Sequence, residues 1–127
     1  MIVAGVGCRR DTSAEEVERV VRLALGMFRL APERLDALAT ESDKALEAGL
    51  VEAARFLSVK LVACTVSDLD RVAGRVLTSS LLVLATKGVP SIAEASALVV
   101  AGQNARLLGT RVATERATCA IAIGDGR

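Results

Sequence analysis

Short apolar runs alternate with stretches of helical spacing, and this alternation constrains the fold more than any other feature of the chain. Ile2 to Val6 is a β-forming run that leads into Gly5-Val6-Gly7, which reads as a buried strand entering a tight loop. Thr12 and Ser13 then offer N-caps, and Ser13 with Glu16 has capping-box spacing. Val17, Val20, Val21, Ala24, Leu25 and Phe28 recur at helical intervals, with Arg19 and Arg22 on the other side. Pro32 marks the exit from that helix. The cycle repeats with a strand over Leu35 to Thr40 and an acidic helix start at Glu41-Ser42-Asp43. An apolar face follows on Leu46, Leu50, Ala53, Ala54 and Leu57. A third strand spans Lys60 to Thr65, and Ser67 to Asp70 opens a short helix ending near Gly74.

The second half is less regular. Leu77 to Thr86 is a continuous apolar run that periodicity assigns to neither strand nor helix. Gly88-Val89-Pro90-Ser91 breaks the chain and starts a small-residue helix, Ile92 to Ala101, suited to close packing. Arg106 to Leu108 is a weak strand, and Thr118 to Ile123 is a closing strand with room for antiparallel pairing. The pattern predicts a single-domain α/β three-layer sandwich over 1–127, its central sheet mostly parallel or mixed and flanked by helices. At 127 residues the chain is enough for one domain and too short for two ordinary ones.

Composition removes whole classes of function. There is no histidine, so Ser-His-Asp and Cys-His catalysis and His-ligated metals are excluded. Sixteen Lys and Arg against 15 Asp and Glu leave a net charge of +1, which argues against a general nucleic-acid surface. Aromatics are 2%, with no Trp or Tyr, so base-stacking platforms are not expected. Cys8, Cys64 and Cys119 are odd in number and widely spaced, as expected of small buried residues in a reducing cytoplasm. No apolar run reaches the ~18 residues of a membrane span, and no cluster has metal-ligand spacing. The expectation is a cytoplasmic protein without resident metal or cofactor.

Ligands of open α/β sheets gather at the carboxyl ends of the strands. Three segments are expected there. In Gly5-Val6-Gly7-Cys8-Arg9-Arg10 the glycines permit close backbone approach, and the arginines offer forked donors to carboxylates. The same segment also reads as a tight turn with two solvated arginines. Thr40, Lys44 and Glu47 lie at a strand–helix junction. A cation near a helix start is unfavourable unless an anion is bound, although Lys44 could simply pair with Glu41 or Glu47. Pro90, Ser91 and Glu94 form a stiffened capping box whose donors cap the helix or face a ligand. Beside Arg9 and a helix start, Cys8 is a conceivable nucleophile, but it lacks a histidine partner.

Taken in order, these segments resemble one family. Gly5-Val6-Gly7-Cys8-Arg9 is similar to a G-[IV]-G-C-R opening. Thr40-x-x-x-Lys44-x-x-Glu47-x-Gly49-Leu50 is similar to a T-x-x-x-K-x-x-E-x-G-L block. Gly88-Val89-Pro90-Ser91-Ile92-Ala93-Glu94-Ala95 is similar to G-V-P-S-[VI]-A-E-A, and Thr118-Cys119-Ala120-Ile121-Ala122 to a closing T-x-A-[IV]-A strand. The family is CobE together with the C-terminal domain of CbiG, from cobalamin biosynthesis. The resemblance implies a role in building the corrin ring of vitamin B12. It also implies a precorrin-type tetrapyrrole ligand bearing acetate and propionate groups, held by Gly5, Gly7, Cys8, Arg9, Thr40, Lys44, Glu47, Pro90, Ser91 and Glu94.

Full-length CbiG-type proteins resemble hydrolases that open a precorrin lactone and carry further N-terminal domains. This chain begins at the C-terminal-domain motif and in that respect looks more like CobE. Three readings follow. The first is a corrinoid-binding accessory protein. The second is a hydrolase using Ser91 with Lys44, or Glu47 as a base. The third is a partner module docking on another pathway enzyme, or on its own copy through Ile92 to Ala101.

The helical placement of Val20 is testable without reference to function. Burying four or five side chains of that face contributes roughly 6–12 kcal/mol before the entropy of ordering. Val20→Asp is expected to abolish cooperative unfolding or to lower stability by about 3 kcal/mol or more. Unchanged thermal melting would displace Val20 from the core.

Overall fold

The computed structural model describes residues 1–77 and 91–126. Six strands are arranged in one mixed sheet: β1 (Ile2–Cys8), β2 (Ala37–Glu41), β3 (Lys60–Cys64), β4 (Arg106–Leu107), β5 (Val112–Ala113) and β6 (Ala117–Ile123). Four helices accompany them among the described residues: α1 (Ala14–Met27), α2 (Ala48–Phe56), α3 (Val66–Arg71) and α4 (Ile92–Ala101). The strand order is β3-β2-β1-β6-β4, with β5 also paired to β6. β1, β2 and β3 are parallel, whereas β6 runs antiparallel to β1, β4 and β5. The sheet is therefore mixed, with the parallel pairs confined to its first half.

Alternation along β1 divides the core in two. Ile2, Ala4 and Val6 point to the face covered by Val17, Val20, Val21, Ala24 and Leu25 of α1 and Leu50, Ala53 and Ala54 of α2. Val3 points to the opposite face, with Ala37, Ala39 and Ala122, under α4 and Leu69 of α3. The second layer is built from small residues on both sides, so α4 lies very close to the sheet. A Cβ placed on Gly5 would come within 1.9 Å of the Ala93 carbonyl oxygen and 2.7 Å of the Ala97 nitrogen. Gly5 is thus a packing position in the middle of a strand.

Several boundaries differ from the sequence expectation. β1 continues through Gly7 to Cys8, because β6 pairs with it as far as Cys8↔Ala117. Glu41 closes β2, and Ser42–Lys44 is a single 3-10 turn, so α2 starts only at Ala48. Leu46 is accordingly 92% exposed and does not belong to the buried face. α3 is capped by Thr65, whose side chain accepts from the Asp68 N–H while Asp68 reciprocates. β5 has too few residues to give a periodic signal. Most of the undecided run 77–86, and Gly88, Val89 and Pro90, lie outside the described residues. Among the described residues no helix is long and apolar enough to cross a membrane.

The contact at Gly5 makes a strong demand on the sequence. Gly5→Ala should force α4 off the sheet, costing about 1–3 kcal/mol or more. Urea unfolding would register this as a lower midpoint; an unaltered midpoint would mean that α4 can slide without loss.

Candidate functional site

β1 is central, so the residues that follow it lie between the ends of its two neighbours. On one side β2 runs parallel and ends at the same edge; on the other, antiparallel β6 begins there. The Arg9–Ser13 loop leaves β1 at this point and is held from several directions. Arg9 N–H donates to the Arg116 carbonyl at 2.9 Å, and the Thr12 hydroxyl donates to the Arg9 carbonyl at 2.7 Å. Asp11 N–H donates to Glu47 Oε1 at 3.1 Å. Gly49 lets α2 close on the loop, since a Cβ there would lie 2.0 Å from the Thr12 carbonyl oxygen. Glu47 and Gly49 therefore share a job: they seat the β1–α1 loop against the start of α2. A groove of about 350 Å³ runs between Asp11–Ala14 and Glu47–Gly49, beside the starts of both helices.

Cys8 marks the centre of the cluster. Burial pushes its thiol above the ordinary range. The Lys44 ammonium pulls it back, the Glu47 and Glu41 carboxylates push it up, and the Arg116 guanidinium pulls it down. The net direction is upward, opposite to the lowering that activates a nucleophilic cysteine. The other two cysteines are fully buried, and burial also raises the Cys119 thiol. The three thiols form no disulfide.

The sequence-predicted residues divide into two groups. Cys8, Arg9, Lys44 and Glu47 gather around the end of β1. Lys44 is half-buried in the 3-10 turn after β2, four residues ahead of α2 rather than in its first turn. The others are built into the scaffold. Gly5 lies under α4, and Gly7 faces the Thr118 hydroxyl. Thr40 is fully buried and donates to the Val6 carbonyl at 2.8 Å, tying β2 to β1. Ser91 caps α4 by accepting from the Glu94 N–H at 3.3 Å. Glu94, also fully buried, accepts the Leu77 N–H at 2.7 Å on one oxygen and the Arg111 N–H at 2.9 Å on the other. These bonds satisfy a carboxylate taken out of water and pin two loops to the start of α4. Pro90 lies outside the described residues.

Sequence reasoning missed Arg116. The signal for it was topological: an antiparallel β6 brings its first residues, not its last, to the edge where β1 ends. A second groove, about 600 Å³, opens at the opposite end of the sheet between Phe28, Arg34 and Arg106. Although larger, it lies away from the residues grouped around Cys8.

Convergence on Cys8 can be read by alkylation with iodoacetamide at pH 8, since Cys64 and Cys119 are fully buried. Glu47→Gln should lower the thiol pKa and speed the reaction; Lys44→Met should raise it and slow the reaction, each by roughly two- to fivefold. Equal rates in both variants would separate Cys8 from these side chains. Linkage has the same origin. A thiol raised in the folded state gives its full stabilisation below the unfolded pKa and loses it as pH climbs through the folded value.

Comparison with known proteins adds an independent line. The sequence model of the family described as Cobalamin synthesis G C-terminus matches residues 2–122. The chain is 34% identical over 121 residues to Protein CobE of Sinorhizobium sp, spanning 95% of this chain and 79% of that protein. The crystal structure of CobE, a protein from the cobalamin (vitamin B12) biosynthetic pathway, superposes with a TM-score of 0.93 at 34% identity. The match covers 100% of this chain and 92% of that one. The cobalamin biosynthesis protein chiG from Agrobacterium tumefaciens str. C58 gives a TM-score of 0.78 at 34% identity, over 98% of this chain and 99% of that chain.

Proposed function

The chain belongs to the Cobalamin synthesis G C-terminus family, and so to the proteins of cobalamin biosynthesis; on that premise we propose that it binds a precorrin-type tetrapyrrole where β1 ends. The observation that carries this reading is the pair of cations, Arg9 and Lys44, at an edge built of backbone loops. The ion pairs among the described residues, Arg22–Glu18, Arg55–Glu52 and Arg71–Asp68, all lie within helices and involve neither. Positive charge with no ion-pair partner among the described residues, in the segments that lead into α1 and α2, suits a ligand ringed by acetates and propionates.

Binding is favoured over turnover by the state of the candidate nucleophiles. Burial shifts the Cys8 thiol upward, away from activation. Ser91 is buried and occupied as a cap, and the Glu47 carboxylate accepts a backbone N–H. The protein's role in this reading is to hold a pathway intermediate or hand it on to a neighbouring enzyme in the cytoplasm.

The test is gel filtration of the purified protein with a metal-free corrinoid acid, followed by its visible spectrum. A polypeptide without a bound chromophore does not absorb visible light, so colour in the protein fraction reports the ligand, and the absence of Trp and Tyr keeps the near-ultraviolet background low as well. Co-eluting, unaltered colour is expected, with Arg9→Ala and Lys44→Ala each raising Kd by about tenfold while melting is unchanged. Altered chromophore at substoichiometric protein would replace the carrier with a hydrolase. Colourless protein at high ligand concentration would sink the reading.

A further inference from the structure

Arg116 occupies a position that the function just proposed does not use. It ends the turn between β5 and β6, immediately before Ala117, which pairs with Cys8. Its carbonyl accepts the Arg9 N–H at 2.9 Å, and its Nη2 donates to the Arg10 carbonyl at 2.8 Å. The two loops are thereby locked together by bonds in both directions. One of the five guanidinium N–H donors is committed by the Arg10 bond, and no ion pair among the described residues involves Arg116.

The sheet order fixes where this charge stands. Lys44 follows β2 on one side of β1, and Arg116 precedes β6 on the other. Their strands are two spacings apart, about 10 Å. Cys8 lies between them and senses both cations, together with the Glu47 and Glu41 carboxylates. We infer that Arg116 and Lys44 are two prongs of one carboxylate clamp spanning the end of β1, and that the ligand is engaged through two acid groups on separate arms. This rests on the proposed tetrapyrrole reading and adds to it a required ligand geometry and a residue. A small monocarboxylate reaches one prong only, whereas a rigid macrocycle carrying acids around its rim reaches both. Arg116 also differs in kind from Lys44, because its planar fork can donate two parallel hydrogen bonds to a carboxylate and still hold Arg10.

The experiment titrates a metal-free corrin polycarboxylic acid, and the same corrin with its acetate arms amidated, into wild type, Arg116→Ala, Arg116→Lys, Lys44→Ala and the Lys44/Arg116 double variant. Melting is recorded for each protein. For the polyacid, Arg116→Ala should raise Kd by about tenfold or more, and Arg116→Lys should recover part of the loss by restoring charge without the fork. The double variant should be weaker than either single variant. Amidation should weaken binding to wild type but change little in the double variant, a pattern that general loosening of the Arg9 loop does not produce. If Arg116→Ala melts early, Arg116→Lys decides: full wild-type affinity for the polyacid overturns the forked clamp. Undiminished affinity in a folded Arg116→Ala overturns the role of Arg116 while leaving tetrapyrrole binding intact. Failure of wild type to bind the polyacid at all removes both.

Discussion

The close approach of α4 to β1 is the contact on which the rest of this architecture depends. It exists because Gly5 has no side chain and because Ala37, Ala39 and Ala122 keep the surrounding sheet surface low. A helix of small residues, with Ala93, Ala95, Ala97 and Ala101 buried in it, can then lie almost on the backbone. Dispersion between many close atoms replaces the contribution that a few large side chains make elsewhere. This explains how a chain with 2% aromatics forms a core at all. The two faces of the sheet are unequal: α1 and α2 stand off on Val and Leu, while α4 sits tight on Gly and Ala.

That asymmetry also positions the polar groups. With α4 pressed down, its first turn is buried, so Ser91 and Glu94 have no access to bulk water and serve the scaffold. Glu94 draws the backbone of Leu77 and Arg111 to the same helix start. An uncompensated carboxylate there would cost several kcal/mol, which makes these backbone donors structural necessities. On the other face the looser packing leaves room for the β1–α1 loop to settle on α2 at Gly49, and the edge where β1 ends remains accessible around Arg9 and Lys44.

The α1 face was legible from its helical periodicity. The α4 span was legible from the Ser91–Glu94 capping signal and its run of small residues, and the closing strand from its apolar β-forming run. The start of α2 was not, because Glu41-Ser42-Asp43 has the composition of a helix start but is spent on closing β2 and on one 3-10 turn. The family motifs were legible as strings, but their division of labour was not. Thr40, Ser91 and Glu94 look like ligand contacts when read beside Lys44. Only the packing distinguishes a hydroxyl bonded to the Val6 carbonyl from one facing solvent. Gly5 likewise reads as part of a ligand loop until the helix above it is known. Arg116 carried no local signal at all, since its place depends on the direction of a strand.

A net charge of +1 conceals how the charges are distributed. On α1, α2 and α3, arginines pair with carboxylates three or four residues away, so those surfaces are balanced locally. Around the end of β1 the balance is different. Glu47 is engaged with the Asp11 backbone and Glu41 is buried, and exposed Asp11, Asp43 and Glu115 stand along the same edge as Arg9, Arg10, Lys44 and Arg116. Glu47 still contributes negative potential while its bond to the Asp11 N–H holds it in place. The cations there are set apart by the strand spacing, rather than matched to carboxylates at helical intervals as on α1, α2 and α3. In the proposed binding mode, selectivity for a large polyacid would follow from that separation: a small anion would meet one cation and leave the others solvated, whereas a macrocycle with several acid arms would engage them together. With 2% aromatics, the proposed binding mode would have to rest on charge and shape rather than on stacking against a ring.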